Sequence, residues 1–290
     1  MKDKIFDSDF FKKLEGIALH SSLIMNDGAL GGRKSKSKGS SVEFSDFREY
    51  VHGDDFRRID WRAYGRFEKL FVKLFMEERE AFVNIFLDCS KSMGFKDESK
   101  GIMALRLSAV FSYIALNNLD RVCINKTVNK EIISSPKYMG KGMFNSLIDF
   151  LKETDFKGES NLPYLLKRKN VGGKGISIII TDGFLKDNLD EAINYLMYKR
   201  QKILFLHILH EEELRPKLNG ELTLRDGETG EKVIVTLNGR VIKEYNKRLN
   251  SFISHIKDKV KRAGGNYIQI NSQDSLDKVI FENFTKEGII

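Results

Sequence analysis

A chain of 290 residues, 41% of them hydrophobic, is long enough to bury a real core, which excludes disorder of the whole. No apolar run approaches the roughly 20 residues of a membrane span. Met1 to Asp9 has no apolar signal core, so the reading is of a soluble cytoplasmic protein without a membrane span. The net charge of +8 invites a nucleic-acid reading, but over residues 1–80 basic residues exceed acidic ones by only one, and no nucleic-acid partner is expected.

Phe10, Phe11, Leu14, Ile17 and Ala18 recur at helical spacing and predict a short amphipathic helix, peripheral to the rest. The Gly, Ser and Lys loop after it holds the one bare basic run, Arg33 to Lys38, read as a solvated loop in preference to a phosphate-binding arm. From Glu43 to Arg66 charges and aromatics crowd together. Arg48, Arg57 and Arg58 are the candidate partner-binding residues of this stretch; the favoured reading is an intramolecular lattice of ion pairs with acids such as Asp60, for which the planar guanidinium fork is well suited. Trp61, the only tryptophan, reads as a packing anchor.

Beyond this the pattern alternates. Strands are predicted at 70–76, 81–87, 121–125, 176–181, 203–209 and 266–270, and helices at 99–118, 143–151, 162–169, 188–199, 242–263 and 274–285. β-Branched strands separated by helix-length amphipathic segments imply an α/β fold of three layers, a mostly parallel sheet with helices on both faces. Leu222 and Leu224, then Val233 and Val235, alternate with polar residues around Asp226-Gly227 and Thr229-Gly230, predicting a β-hairpin inserted at about 218–238. The expected division is an N-terminal helix, basic loop and charged strap over 1–69, and an α/β domain over 70–290. The only cysteines, Cys89 and Cys123, lie in or beside apolar runs and read as buried free thiols.

The chemistry gathers at strand ends. The run Ala81 to Leu87 ends in Asp88-Cys89-Ser90-Lys91-Ser92, which puts a carboxylate and two hydroxyls on one loop, and the run Gly175 to Ile180 ends in Thr181-Asp182-Gly183. In a parallel sheet ligands gather at the carboxyl ends of the strands. Mg²⁺ takes roughly six hard oxygens and keeps several waters, so such a loop fills part of its shell. The rival reading is an Mg²⁺-dependent phosphoryl hydrolase using Asp88 and Asp182. An aspartate-nucleophile phosphatase needs a second acid at the next alternate position, where Ser90 stands, and the chain has neither a Gly-x-Ser-x-Gly elbow nor a Walker A sequence. His52, His207 and His210 have no metal-ligand spacing, and Cys89 is expected to point away from the loop.

Asp88, Ser90 and Ser92 spell the Asp-x-Ser-x-Ser signature of a von Willebrand factor A-like domain, which the chain resembles. More narrowly it resembles the bacterial family called domain of unknown function 58, through Glu43-Phe44, Arg48-Glu49-Tyr50, Gly53-Asp54-Asp55, Arg57-Arg58-Ile59-Asp60-Trp61, Ala63, Arg66, Val72-Lys73 and Asp226 to Glu231. The resemblance implies a Rossmann-type sheet and a metal-ion-dependent adhesion site. In it Ser90, Ser92 and Ser160, the last standing where a Thr is usual, hold Mg²⁺ or another divalent cation such as Mn²⁺ directly, and Asp88 and Asp182 hold it largely through water. It also implies a protein that binds without turnover, an adaptor or chaperone partner of a MoxR-type AAA+ ATPase or its client in protein assembly or metal-centre maturation, with a partner carboxylate taken at the ion.

Overall fold

The computed structural model describes residues 5–25, 42–77, 81–94, 97–128, 131–159, 161–185, 188–216, 220–225 and 232–287. In chain order they form α1 (Ser8–Met25), β1 (Val42–Glu49), a 3-10 turn (Phe56–Arg58), α2 (Trp61–Phe67), β2 (Phe71–Glu77), β3 (Phe82–Leu87), α3 (Ser99–Asn117), β4 (Arg121–Val128), β5 (Glu131–Ser134), β6 (Tyr138–Met139), α4 (Phe144–Lys152), α5 (Leu162–Arg168), β7 (Gly175–Thr181), α6 (Leu189–Tyr198), β8 (Gln201–Leu209), α7 (Glu211–Leu214), β9 (Gly220–Arg225), β10 (Lys232–Leu237), α8 (Gly239–Arg262), β11 (Asn266–Asn271) and α9 (Leu276–Lys278), which runs into a π-helical turn (Val279–Phe284). Two compact units result, one of residues 24–80 and one of residues 1–23 with 81–290.

In the larger unit the sheet order is β11-β8-β7-β3-β4-β5, with β6 also on β4. β3, β4, β7, β8 and β11 run parallel, while β5 and β6 fold back antiparallel on β4. Strands covered on both faces have no polar side to alternate with, which is why they read as apolar runs. Phe86, Ile179 and Phe205 pack with Leu162, Leu165 and Leu166 of α5, Ala192, Ile193 and Leu196 of α6, and Ile256 and Val260 of α8. The alternate residues Ile85, Leu87, Ile180 and Leu206 are fully buried on the face that α3 covers. α3 is long and apolar enough to cross a membrane, but 72% of that stretch lies inside the fold. Here it acts as a core helix.

In this order the chain winds outward in both directions from β3 and β7, and the crevice beyond their carboxyl ends is the topological switch point at which doubly wound sheets hold ligands. Asp88 and Asp182 follow these two strands directly.

The smaller unit is an antiparallel ribbon of β1 and β2 with a bulge between Phe44 and Asp46. Asp60 caps α2 by accepting from the backbone N–H of Arg62 and Ala63, and its other oxygen meets Lys73 Nζ at 3.2 Å. Arg48 forks onto Asp54 at 2.8 and 2.9 Å, and Lys69 pairs with Glu49. The Val51 N–H and the Arg48 guanidinium hold Asp54 below the usual carboxylate range.

Four expectations are corrected. The strand predicted at 70–76 forms, but it pairs with β1 in the ribbon and takes no part in the central sheet, so the expected boundary at 69/70 falls inside the smaller unit. α1 is not peripheral: Phe10, Leu14 and Ile17 are buried in the larger unit and Lys13 reaches Asp277 at 2.9 Å. Trp61 is 63% exposed and meets Tyr64 edge-on, so it anchors no core. The expected ion-pair lattice is corrected in part: Arg48 pairs with Asp54 within the stretch as expected, while Asp60 pairs with Lys73 from β2. The strands of the inserted hairpin pair as predicted; its turn at 226–231 and the basic run at 33–38 lie outside the described residues.

One core residue is out of place. Asn84, in the middle of β3 between Cys123 and Ser177, is fully buried, and neither its Oδ1 nor its Nδ2 has a hydrogen-bond partner. A buried amide without partners costs about 1–3 kcal/mol, while Val suits both the strand and the apolar layer. Asn84→Val is therefore expected to raise Tm in a thermal melt; a lower Tm would show that the amide is engaged.

Candidate metal centre

The loop after β3 is built to aim its hydroxyls. Asp88 N–H donates to Ile180 O at 3.0 Å, extending the β3–β7 pairing by one residue and placing Asp88 beside Thr181. The Asp88 carboxylate accepts from Ser90 N–H at 3.1 Å on Oδ1 and from the Thr181 hydroxyl at 2.6 Å on Oδ2. An Asx turn of this kind curls the chain so that Ser90 Oγ and Ser92 Oγ come within 2.9 Å of each other. Burial and the neighbouring Asp182 charge together push the Asp88 carboxyl up to about 6, against the opposing hydrogen bonds from Thr181 and Ser90.

Asp182 is fully buried too. Its Oδ1 accepts from Phe184 N–H at 3.1 Å, and its Oδ2 lies 2.9 Å from Lys100 Nζ. The same ammonium reaches Glu213 Oε1 at 2.7 Å, so one cation from the first turn of α3 ties the loop after β7 to α7. The Lys100 side chain is 1% exposed. Burial pushes its pKa down, but Asp182 and Glu213 outweigh burial and hold it above the ordinary lysine value. From below, His207 Nε2 donates to Asp182 O at 2.8 Å and Tyr267 O–H donates to His207 Nδ1 at 2.7 Å. Burial pushes His207 down to about 4, so the ring is neutral and this tautomer is the one its partners require. Gly183 carries φ +74, which favours glycine, and an added Cβ there would sit 3.1 Å from His207 Nε2.

A second loop is locked against the first. Lys91 N–H donates to Gly158 O at 2.9 Å and Gly158 N–H to Cys89 O at 3.2 Å, so Ser90 and Gly158 pair as a short parallel bridge. Ser160, the third expected hydroxyl ligand, lies outside the described residues, two positions beyond that bridge.

The donor chemistry fits a small hard cation. Ser90 Oγ and Ser92 Oγ are hydrogen-bonded to each other at 2.9 Å, and oxygens held cis in an octahedron with about 2.0–2.1 Å metal–oxygen bonds also lie about 2.9 Å apart, so an ion could replace that hydrogen bond with little movement of either oxygen. Among the described residues no group of three or more His, Cys, Asp or Glu could hold a metal, so the hydroxyls would have to serve as ligands. Ser90, Ser92, Asp88 and Asp182 are thus brought to one rim, with Asp88 acting as the hinge that orients Ser90.

The other singled-out residues lie elsewhere. Arg48 is engaged by Asp54 within the ribbon, and Arg57 and Arg58 sit on its 3-10 turn. Cys89 is fully buried, with Sγ toward Leu87 O and its thiol pushed up by burial, so it faces away from the hydroxyls as expected; Cys123 is likewise a buried free thiol. His210 caps α7 by accepting from Glu212 N–H. Sequence reasoning missed Lys100 and set His207 and its neighbour Glu213 aside, because a lysine in a helix and a histidine in an apolar strand carry no local sign of the groups they meet.

Fold and site together define a class: a three-layer, doubly wound α/β protein with an Asp-x-Ser-x-Ser loop at its switch point. Residues 46–251 match the family described as "Protein of unknown function DUF58", and the chain belongs to it. None of the curated proteins matches the chain. Among solved structures it is similar to conserved hypothetical protein BatB from Bacteroides thetaiotaomicron, at 17% identity over 71% of this chain and 98% of that one with a TM-score of 0.41. It is also similar to an aerotolerance-related membrane protein from Bacteroides fragilis, at 18% identity over 71% and 99% with a TM-score of 0.41. The von Willebrand factor A domain of SpRpn10 aligns at 11% identity over 70% and 94% with a TM-score of 0.37.

Proposed function

We propose that this chain is a divalent-cation-dependent protein-binding module without enzymatic turnover, a cytoplasmic adaptor or chaperone partner of a MoxR-type AAA+ ATPase in protein assembly or metal-centre maturation. The observation that carries the reading is the pair of serine hydroxyls 2.9 Å apart at the switch point, beside the buried carboxylates Asp88 and Asp182. Ser90 and Ser92, with Ser160 from the neighbouring loop, would hold Mg²⁺ or Mn²⁺, while Asp88 and Asp182 steady the waters around it. When bound, the ion supplies an electron-poor open position for a partner's Asp or Glu, since few carboxylates contact it directly. Binding is favoured over hydrolysis because Asp88 is fully buried and both its oxygens accept hydrogen bonds from the protein, a poor posture for a nucleophile.

The test is calorimetric. Wild-type protein should bind Mg²⁺ and capture the purified ATPase in Mg²⁺ but not in EDTA, and Ser90→Ala with Ser92→Ala should lose both while keeping the wild-type circular dichroism spectrum. Undiminished ion affinity in the double variant would refute the site.

A further inference from the structure

We infer that Lys100 is a built-in competitor of the divalent cation, an ammonium held on Asp182 that sets how tightly the ion binds, with Glu213 as the seat that draws it away. The inference rests on the ion-binding reading above and concerns the regulation of that same site.

Three observations carry it. The Lys100 ammonium lies 2.9 Å from Asp182 Oδ2 and 2.7 Å from Glu213 Oε1, so it is shared between a carboxylate of the ion site and one outside it. Its side chain is 1% exposed, which leaves the charge little screened by solvent. It also sits in the first turn of α3, where the helix dipole disfavours a cation, so the two acids and not the helix fix its place. Phe184, whose N–H holds the other Asp182 oxygen, has its ring 5.9 Å from the same ammonium.

A divalent cation drawing on Asp182 must share that carboxylate with a charge of its own sign. Like charges at close range in a water-poor site oppose one another strongly. The protein therefore gains an internal counter-charge that steadies Asp182 without the ion, and the ion binds more weakly and more reversibly than the oxygen ligands alone would allow. Glu213 belongs to α7, whose place is fixed by the His210 cap and by Tyr245 O–H donating to Glu213 O at 2.8 Å. A shift of α7 would change the share of the ammonium that Asp182 receives, and by linkage ion loading would bias α7 in return.

Mn²⁺ titration followed by electron paramagnetic resonance of the free ion reads this directly, on the full chain. Lys100→Met should tighten Mn²⁺ binding tenfold or more, Lys100→Arg should restore an affinity near wild type, and Glu213→Gln, which leaves the ammonium wholly to Asp182, should weaken binding at least threefold. Should Lys100→Met fail to fold, the Glu213→Gln result decides alone. Wild-type binding that Lys100→Met leaves unchanged or weakens, or that Glu213→Gln leaves unchanged, overturns the competitor role but not the ion site. Absence of Mn²⁺ binding in the wild type and in every variant, with Asp88→Ala indistinguishable from them, overturns both.

Discussion

Asp88→Asn is expected to make the metal-free protein more stable and to abolish its response to Mg²⁺. The carboxylate is fully buried, and burial with the adjacent Asp182 charge lifts its pKa to about 6 from the ordinary value of 3.8. An acid whose pKa is raised on folding binds more protons folded than unfolded, so stability falls as pH rises from about 4 through 6 and stays low above. At about 1.4 kcal/mol per pKa unit, the charge costs on the order of 2–3 kcal/mol at neutral pH. Asn keeps the shape: its oxygen still accepts from Ser90 N–H, and its amide can donate to the Thr181 hydroxyl, which already accepts from Gly183 N–H at 2.9 Å. For a chain of this size the gain is a rise in Tm of roughly 5 °C at pH 7.5, shrinking as pH falls and vanishing only below the unfolded value of 3.8, where the carboxyl is protonated in the folded and the unfolded chain alike. Added Mg²⁺ should raise the wild-type Tm, because a ligand of the folded state alone stabilises it, and leave the variant unmoved. Differential scanning fluorimetry across pH, with and without Mg²⁺, checks both halves. A variant less stable than wild type at pH 7.5 without metal would mean that the buried charge is compensated by its surroundings, and that the strain ascribed to the site is absent.

The same residue shows what sequence can and cannot disclose. Asp88 and Asp182 were legible because strand runs rich in β-branched residues announce their own ends, and the doubly wound arrangement sends functional groups to those ends. The central strands form within a few residues of their predicted bounds, and the predicted helices pack on both sides of them. Pattern alone could not say which strand pairs with which. The run from Leu70 to Met76 has the same apolar character as β3, yet it pairs with β1, whose own sequence, dense in charge, carries no strand period strong enough to betray it. Similarly, α1 buries Phe10, Leu14 and Ile17, and an amphipathic stripe predicts a buried face without saying against what. Trp61 failed for a different reason: the expectation of burial follows from residue type, and an exposed aromatic contradicts it where surface, and not core, determines its place. Lys100 lay beyond reach of any local argument, since it meets its acids 82 and 113 positions along the chain.

The second loop of the site depends on a contact that touches neither the ion loop's hydroxyls nor its carboxylates. Gly101 in α3 leaves no room for a methyl group: a Cβ there would lie 2.5 Å from Phe156 Cε2, and one on Gly94 would lie 2.8 Å from Phe156 O. Phe156 is thus wedged between two glycines, and two residues later Gly158 pairs with Ser90 and leads to Ser160. Gly101→Ala sets two effects against each other. Replacing Gly in a helix favours folding by roughly 1 kcal/mol, while overpacking against the ring costs about 1–3 kcal/mol. The contact at 2.5 Å is far inside van der Waals range, so the clash should win. The variant is expected to lose about 1–2 kcal/mol in urea unfolding and to bind Mn²⁺ at least fivefold more weakly, because a displaced Phe156 draws Gly158, two residues on, away from Ser90. Phe156→Ala in the same chain removes the clash, so the double variant should be more stable than the sum of the single changes predicts, as contacting residues are when they couple. If Gly101→Ala instead raises stability and leaves Mn²⁺ affinity untouched, Phe156 turns aside freely and the second loop is placed by the Ser90–Gly158 bridge alone.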